Sequence, residues 1–192
     1  MRFGIWTISL VLAVGCGNLK DSTTDEEDKI IALVLQHENR KDGYSVVIPR
    51  TNLGGPGGWS EVDRKKEYLK EDAILTAMVI TDLVNQLIAK NKSTVTIGLQ
   101  SDQKNGYLVD LDDSFQKYWE VSRWNWERMR RERPKARSLT WVSRPAYDQG
   151  RGIVVIYLGR LRGDYDGEGY LIAYEYKEGT LKELKRVTLW IS

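Results

Sequence analysis

The sequence predicts an α+β fold, in which a curved antiparallel sheet of five to seven strands packs against two helices. Four strand-like runs, separated by turns rich in Gly and Asp, occupy residues 139–192. Residues 63–91 contain no Gly or Pro and are mostly apolar in their second half, which predicts a long buried helix. Residues 114–133 are rich in Trp and Arg and stop before Pro134, which predicts a second helix.

The chain opens with an export signal. Arg2 precedes an apolar run over residues 3–14 that is too short to span a bilayer as a helix. The run ends in Ala13-Val14-Gly15-Cys16, which resembles the lipobox of bacterial lipoproteins. The resemblance implies that residues 1–15 are removed and that acyl chains such as palmitate anchor Cys16 in a membrane. An ordinary signal peptide with an incidental Cys nearby is the alternative.

The region after the signal divides into a tether and one domain. Residues 16–29 are polar and acidic after Cys16, so we expect a lipidated Cys with a solvated tether, followed by a single α+β domain over residues 30–192. In bacterial lipoproteins, Asp after the Cys retains the protein in the inner membrane. Gly17 stands at that position here, so the resemblance implies a lipid-anchored cell-envelope protein, in the outer membrane if the source is Gram-negative.

Composition disfavours several function classes. The chain holds 29 Lys and Arg against 27 Asp and Glu, a balance that indicates neither nucleic acid nor an acidic surface as partner. Cys16 and His37 are the only Cys and the only His, so a zinc site and a Ser-His-Asp triad both lack parts. We therefore predict no metal, no cofactor and no catalytic residue. A hydrolase that uses carboxylates alone is the less favoured alternative.

Alternation of apolar residues predicts the strands in the middle of the chain. Residues 44–49 form a first strand, and residues 93–99 alternate cleanly. A turn at Lys104-Asn105-Gly106 then predicts a hairpin between residues 93–99 and 107–111.

The helix expected over residues 114–133 and the loop after it interleave cations with Trp. Such a pattern indicates nucleic acid in a cytosolic protein, but the export signal disfavours that partner. An anionic lipid or glycan surface is the functional alternative. The structural alternative is an amphipathic helix that buries Trp119, Trp126 and Met129, while its arginines stay in solvent or pair with Glu127 and Glu132.

The C-terminal runs differ in how their faces are covered. Residues 152–161 are apolar on both faces, which predicts a central strand covered on two sides. Tyr170 and Tyr174 share a face with other large side chains, which either fill a core or line a cavity; the large area that aromatic residues bury favours the core. Arg144 interrupts the first run. Because an unpaired buried charge is costly, we expect Arg144 to bond a carboxylate from the helices.

Several segments together resemble an uncharacterised family of exported bacterial proteins, often lipoproteins. The matching segments are VVIPRT, TDLVNQLIAKN, VSRPAYD with its SRPAYD motif, IVVIYLG, GYLIAYEY and the terminal LWIS. The resemblance covers most of the mature chain and implies one domain beginning near Ile30, with no activity to transfer. A long helix on the concave side of a meander also resembles the cystatin and NTF2-like folds, an analogy that carries no function.

These observations predict a lipid-anchored envelope protein that acts as a non-catalytic binding module. We expect an envelope protein or a glycan as partner, the membrane to be reached through the acyl chains on Cys16, and an exposed aromatic patch near Trp124. The alternative is a pocket for a small molecule or glycan between sheet and helix, lined by Tyr157, Tyr170 and Tyr174. Arg144 is the remaining candidate binding residue.

Overall fold

The computed structural model describes residues 22–38, 43–49, 80–93, 95–120 and 123–192. Its helices are α1 (Ser22–Glu38), α2 (Ile80–Lys90) and α3 (Trp126–Glu132), with a short 3₁₀ helix at Gln116–Tyr118. Its strands are β1 (Tyr44–Val47), β2 (Tyr107–Val109), β3 (Trp119–Glu120), β4 (Arg123–Trp124), β5 (Ala136–Val142), β6 (Ala146–Asp148), β7 (Ile153–Gly163), β8 (Asp166–Lys177) and β9 (Thr180–Ile191).

Seven of these strands form one mostly antiparallel sheet. The strand order is β2-β1-β5-β7-β8-β9, and β6 pairs with β7. This arrangement confirms the predicted α+β class and the C-terminal meander. β1 adds a parallel pairing with both β2 and β5, which is possible because a long stretch of chain separates β1 from each of these later strands.

Helices cover both faces of β7, as the apolar character of both its faces predicts. On one face, α1 packs against β7 and β8 through Ile30, Ile31, Val34, Leu35, Val154, Ile156, Ile172 and Tyr174. On the other face, α2 packs through Leu83, Val84, Leu87, Val155, Tyr157, Leu171 and Ala173. Each fully buried Leu, Ile or Val contributes about 1.5–3 kcal/mol, so these two layers hold the domain together. Residues 63–79 of the predicted long helix lie outside the described residues, and α2 is its last part.

The predicted tether is wrong over residues 22–29, because α1 already begins at Ser22. Asp25 in its acidic first turns is exposed, but Glu26 and Glu27 bond side chains far along the chain. Glu27 is only 7 % exposed, and the hydroxyl of Tyr176 donates a hydrogen bond to Glu26 Oε1 at 2.7 Å. Polar residues of this segment therefore belong to the domain, because their partners lie far along the chain.

The predicted hairpin of residues 93–99 with 107–111 is also wrong. The turn does form, since Asp102 and Tyr107 make an antiparallel bridge. β2 then pairs in parallel with β1, while the amide of Ile97 donates to the carbonyl of Pro49 at 2.7 Å. Residues 95–100 therefore run past the end of β1 and bury Ile97 and Leu99 in the α1 layer.

The helix predicted over residues 114–133 is replaced by three short elements. The 3₁₀ helix comes first, then the β3–β4 hairpin, in which Trp119 pairs with Trp124, and then α3. Asn125 starts α3, because its side-chain oxygen accepts a hydrogen bond from the amide of Arg128 at 2.9 Å. The absence of Gly and Pro in this stretch permitted a long helix but did not require one.

Trp190 of β9 lies across strand positions that only glycine can occupy. The Trp190 Nε1 group donates to the Tyr157 hydroxyl at 3.1 Å. A Cβ atom at Gly169 would stand 1.9 Å from Trp190 Nε1, whereas one at Gly167 would first meet Leu161 Cδ2 and Ser192 Oγ and then Trp190 Cζ3 at 2.9 Å. Glycine inside a strand often marks such a close approach, and here it makes room for the indole ring.

Candidate functional site

The strongest candidate for a working surface surrounds the β3–β4 hairpin. Trp119 is 44 % exposed, and its ring meets that of Trp124 edge-on with centroids 5.2 Å apart. Trp124 is partly buried and packs against the core formed by Tyr118, Trp126, Met129 and Leu161. The contact with Trp124 therefore holds an exposed indole in a defined position.

The solvent side of α3 continues this surface with positive charge. Trp126 and Met129 are buried on the core side of α3, which leaves Arg130 and Arg131 exposed. Eight Lys and Arg but only three Glu occur between Lys117 and Arg137. We call the group formed by Trp119, Trp124, Arg130 and Arg131 the basic aromatic surface.

Glu132 neutralises two of the neighbouring cations. Lys117 and the Nε group of Arg128 each bond a Glu132 oxygen at 2.9 Å, and these hydrogen bonds lower the pKa of Glu132 to about 2. Arg131, by contrast, forms no ion pair within the described residues, whereas Arg123 stands opposite Glu120 in the β3–β4 hairpin. The Arg131 guanidinium is exposed to a partner.

A second polar cluster lies at the C-terminal end of α1. The Glu38 side chain is 7 % exposed and accepts two bonds from the Arg186 guanidinium, at 2.5 and 3.1 Å. The Tyr174 hydroxyl donates to the same carboxylate at 3.1 Å. Arg186 also bonds Glu183 at 2.6 Å and lies over the ring of Tyr170 at 4.8 Å. The cluster ties α1 to β8 and β9.

This cluster contains residue types that can bind a cation, but its carboxylates are already neutralised by an arginine. Ligand atoms of His37, Glu38 and Glu183 lie within 4.8 Å of one another. Arg186, however, bonds both carboxylates, so a metal ion would have to displace a guanidinium that already neutralises them. The geometry is that of a structural ion-pair network.

Acid should weaken this network, and Glu38→Gln should reduce the effect. Burial alone would raise the pKa of Glu38, but the bonds and charge of Arg186 outweigh it and hold that pKa below the ordinary 4.5. The unfolded chain then takes up a proton before the folded one, so the stabilisation is complete above about pH 4.5 and is lost as the pH falls through the folded pKa. We expect the free energy of urea unfolding to fall less between about pH 5 and pH 3 in Glu38→Gln than in the wild type.

Glu178→Gln is the matched control for that measurement, because Glu178 lies in the exposed β8–β9 turn. Its pH profile should follow the wild type. Identical profiles for the Glu38 and Glu178 variants would contradict the role assigned to Arg186.

Arg144 forms the ion pair that the sequence predicts, with a carboxylate of a helix. Its Nε group donates to Glu27 Oε2 at 2.7 Å, and Lys90 Nζ donates to Glu27 Oε1 at 2.8 Å. The helix is α1, not one of the two helices predicted from the sequence. Asn91 bonds both backbone groups of Arg144, at 2.8 and 2.9 Å. Arg144 therefore joins α1 and α2 to the strands, and its role as a binding residue stays a prediction.

The three tyrosines expected to line one pocket do not meet. Tyr157 is 1 % exposed on the α2 face, whereas Tyr174 is 0 % exposed on the α1 face. Tyr170 is partly buried beneath Arg186, on the same side as Tyr174. A single cavity lined by all three is incompatible with this sheet, because Tyr157 and Tyr174 belong to opposite cores.

The remaining site predictions have mixed outcomes. Cys16 lies outside the described residues, so its lipidation stays a prediction. Trp124 is part of an aromatic group, but the exposed ring is that of Trp119, which the structural alternative had buried with Trp126 and Met129. Sequence reasoning missed Glu27, Glu38 and Asn91. The available signal was weak: a polar side chain at an apolar position of an amphipathic helix.

Comparisons with known proteins identify no relative. No family model, no curated protein and no solved structure matches this chain. Within the described residues, every helix is too short or too polar to cross a bilayer.

Proposed function

We propose that this protein is a lipid-anchored cell-envelope protein whose domain binds a macromolecular partner without catalysis. The basic aromatic surface carries the proposal. Trp and Arg are among the residues most enriched at the energetic centres of binding surfaces, and the exposed Trp119 precedes helix α3, whose Arg131 forms no ion pair within the described residues. An exposed indole held by a second indole loses little conformational freedom on binding.

The proposed anchor would hold the domain close to the membrane. Only five residues separate Cys16 from Ser22, where α1 begins, and such a segment spans at most about 20 Å. α1 has 17 residues and is therefore about 25 Å long. Its first turns would lie nearest to the bilayer, with Glu38 at the far end.

The basic aromatic surface lies at the end of the sheet reached by the C-terminus of α1. Arg160 of β7 donates to the carbonyl of Glu38, and Arg130 of α3 donates to the carbonyl of Arg162, also in β7. α3 lies on the opposite face of β7 from α1 but beside the same strand end. With Cys16 acylated, this orientation would direct the surface into the envelope space, away from the anchor.

The contacts of the buried carboxylates favour binding over catalysis. Glu27 is bonded by Arg144 and Lys90, and Glu38 is bonded by Arg186. Each carboxylate thus connects elements of the fold. Such ion pairs are a common structural use of partly buried carboxylates.

Cys16→Ser tests the anchor. In a bacterial host that processes lipoproteins, we expect the wild type to sediment with the membranes and the Cys16→Ser variant to move to the soluble fraction, because two or more acyl chains bind a bilayer almost irreversibly. Incorporation of labelled palmitate should disappear with the same substitution. An unchanged distribution of the variant would contradict anchoring through Cys16.

A further inference from the structure

We infer that the basic aromatic surface binds an acidic polysaccharide, a glycan whose repeating units carry carboxylates. The inference rests on the proposed function and names the class of its partner. It starts from the local charge: eight Lys and Arg against three Glu between Lys117 and Arg137, in a chain whose total charge is only +2. A local concentration of positive charge in a nearly neutral protein attracts a partner that carries many negative charges.

Arg131 is exposed in a position to bond carboxylates of a partner. It points away from the buried Trp126–Met129 side of α3 and forms no ion pair within the described part of the chain. Arg123 is exposed on β4 and stands opposite Glu120 in the hairpin. A guanidinium can bond a carboxylate through two parallel N–H groups, which makes arginine suited to a row of sugar carboxylates.

Trp119 supplies the apolar contact that a sugar ring needs. Its indole is 44 % exposed and is held at a tilt of 75° against Trp124. A flat, preorganised aromatic ring on the hairpin that leads into the basic helix α3 matches a chain of rings that carries acidic groups. The pairing of Trp119 with Trp124 across β3 and β4 fixes the face of the hairpin on which the indole lies, which is the face opposite to that of the Glu120–Arg123 pair.

The surface is too polar for the centre of a protein interface. Among the described residues, the exposed large apolar side chains are Leu111, Trp119, Tyr165 and Ile191, and only Trp119 belongs to the surface. The centres of protein interfaces are apolar and depleted of charge. A single indole among arginines therefore favours a polymer that is itself charged along its length.

The bilayer that holds the anchor is the less suitable polyanion. The five residues between Cys16 and Ser22 keep the first turn of α1 near the headgroups, whereas α3 lies at the other end of β7. We therefore assign the surface to a glycan, and anionic vesicles serve as the competing probe.

The test uses the full-length lipidated protein in detergent, with polygalacturonate as the acidic probe and dextran as the neutral one. We expect saturable binding to polygalacturonate that weakens as salt is raised, and none to dextran. Trp119→Ala should weaken binding about 5- to 10-fold, and Arg131→Gln about 2- to 5-fold with a smaller salt dependence. Arg151→Gln removes the same charge from an exposed turn at the opposite end of β7 and should leave binding unchanged.

Three outcomes would overturn the inference. One is equal binding to dextran and polygalacturonate, and another is unchanged affinity in both the Trp119 and the Arg131 variants. The third is binding to vesicles containing phosphatidylglycerol without binding to polygalacturonate. Thermal melting of each variant verifies folding. Failure with polygalacturonate while Cys16-dependent membrane association persists would reject the glycan and leave the proposed anchoring intact.

Discussion

Gly169→Ala should destabilise the domain by about 2–3 kcal/mol, although alanine normally suits a strand better than glycine. The added methyl group would stand 1.9 Å from Trp190 Nε1, 2.4 Å from Cε2 and 2.6 Å from Cδ1. The indole cannot retreat cheaply, because its N–H bonds the Tyr157 hydroxyl and its ring also passes over Gly159 and Gly167. Because Gly169 has no left-handed backbone angle, the loss would come from the collision alone.

Urea unfolding measures this effect, with Gly163→Ala as the matched control. Gly163 lies in the same β7–β8 hairpin, and a Cβ atom there would have no neighbour closer than 3.8 Å. We expect the control to stay within about 0.5 kcal/mol of the wild type. A drop in melting temperature of about 5–10 °C should accompany the Gly169 change.

A double-mutant cycle identifies the group that collides. In a Trp190→Leu background the indole is gone, so Gly169→Ala should lose most of its penalty. A penalty of the same size in both backgrounds would show that the methyl group meets something other than Trp190.

The strands could be predicted from the sequence because their signal is local. Val155 and Tyr157 alternate with Val154 and Ile156, and this short pattern alone predicts that β7 is covered on both sides. Arg144 was predictable for a similar reason. A charge in the middle of a strand requires a partner, and the structure supplies Glu27.

The remainder depends on contacts between residues far apart in the chain. The acidic run before residue 30 is typical of a solvated tether, yet Glu27 pairs with a residue 117 positions later and Glu26 with one 150 positions later. No short stretch of the sequence contains both partners of such a bond. From the sequence alone, a solvated polar tether and a polar helix turn packed on the sheet therefore look the same at residues 22–29.

The candidate surface was predictable in kind but not in detail. Interleaved Trp and Arg residues indicated a binding surface near Trp124. Which indole is exposed depends on the break between the 3₁₀ helix and α3, where Asn125 caps a new helix and Trp119 pairs with Trp124. A continuous helix would have buried Trp119 with Trp126. Because Asn125 starts a new helix, Trp119 lies in the hairpin before it and is exposed.

Asn91→Ala should cost about 3 kcal/mol, because one side chain satisfies a break in the sheet. Val142 at the end of β5 pairs with Leu158, and Ala146 at the start of β6 pairs with Val155. The three residues between β5 and β6 therefore face only two residues of β7. The extra residue leaves the N–H and C=O groups of Arg144 without ladder partners. Asn91, at 2 % exposure, accepts from that N–H at 2.8 Å and donates to that C=O at 2.9 Å.

The same amide group also ends α2, since its Nδ2 donates to the carbonyl of Leu87 at 2.8 Å. Alanine would remove all three bonds and leave buried backbone groups unpaired, at about 1–3 kcal/mol for each group that water cannot reach. Asn91→Asp should be no better. It keeps an acceptor for the Arg144 N–H but places a second oxygen against two carbonyls.

Asn85→Ala is the control, because Asn85 is an exposed residue of the same helix and alanine there should be neutral or slightly stabilising. Urea unfolding gives the free energies, and hydrogen exchange of the Arg144 amide gives a local readout. We expect that amide to exchange faster in Asn91→Ala while amides in the centre of β8 remain protected up to the global unfolding limit. A loss below about 1 kcal/mol with unchanged exchange at Arg144 would mean that the strand break holds its shape without Asn91. The polar link between α1, α2 and the strands would then depend on the ion pairs of Glu27 with Arg144 and Lys90.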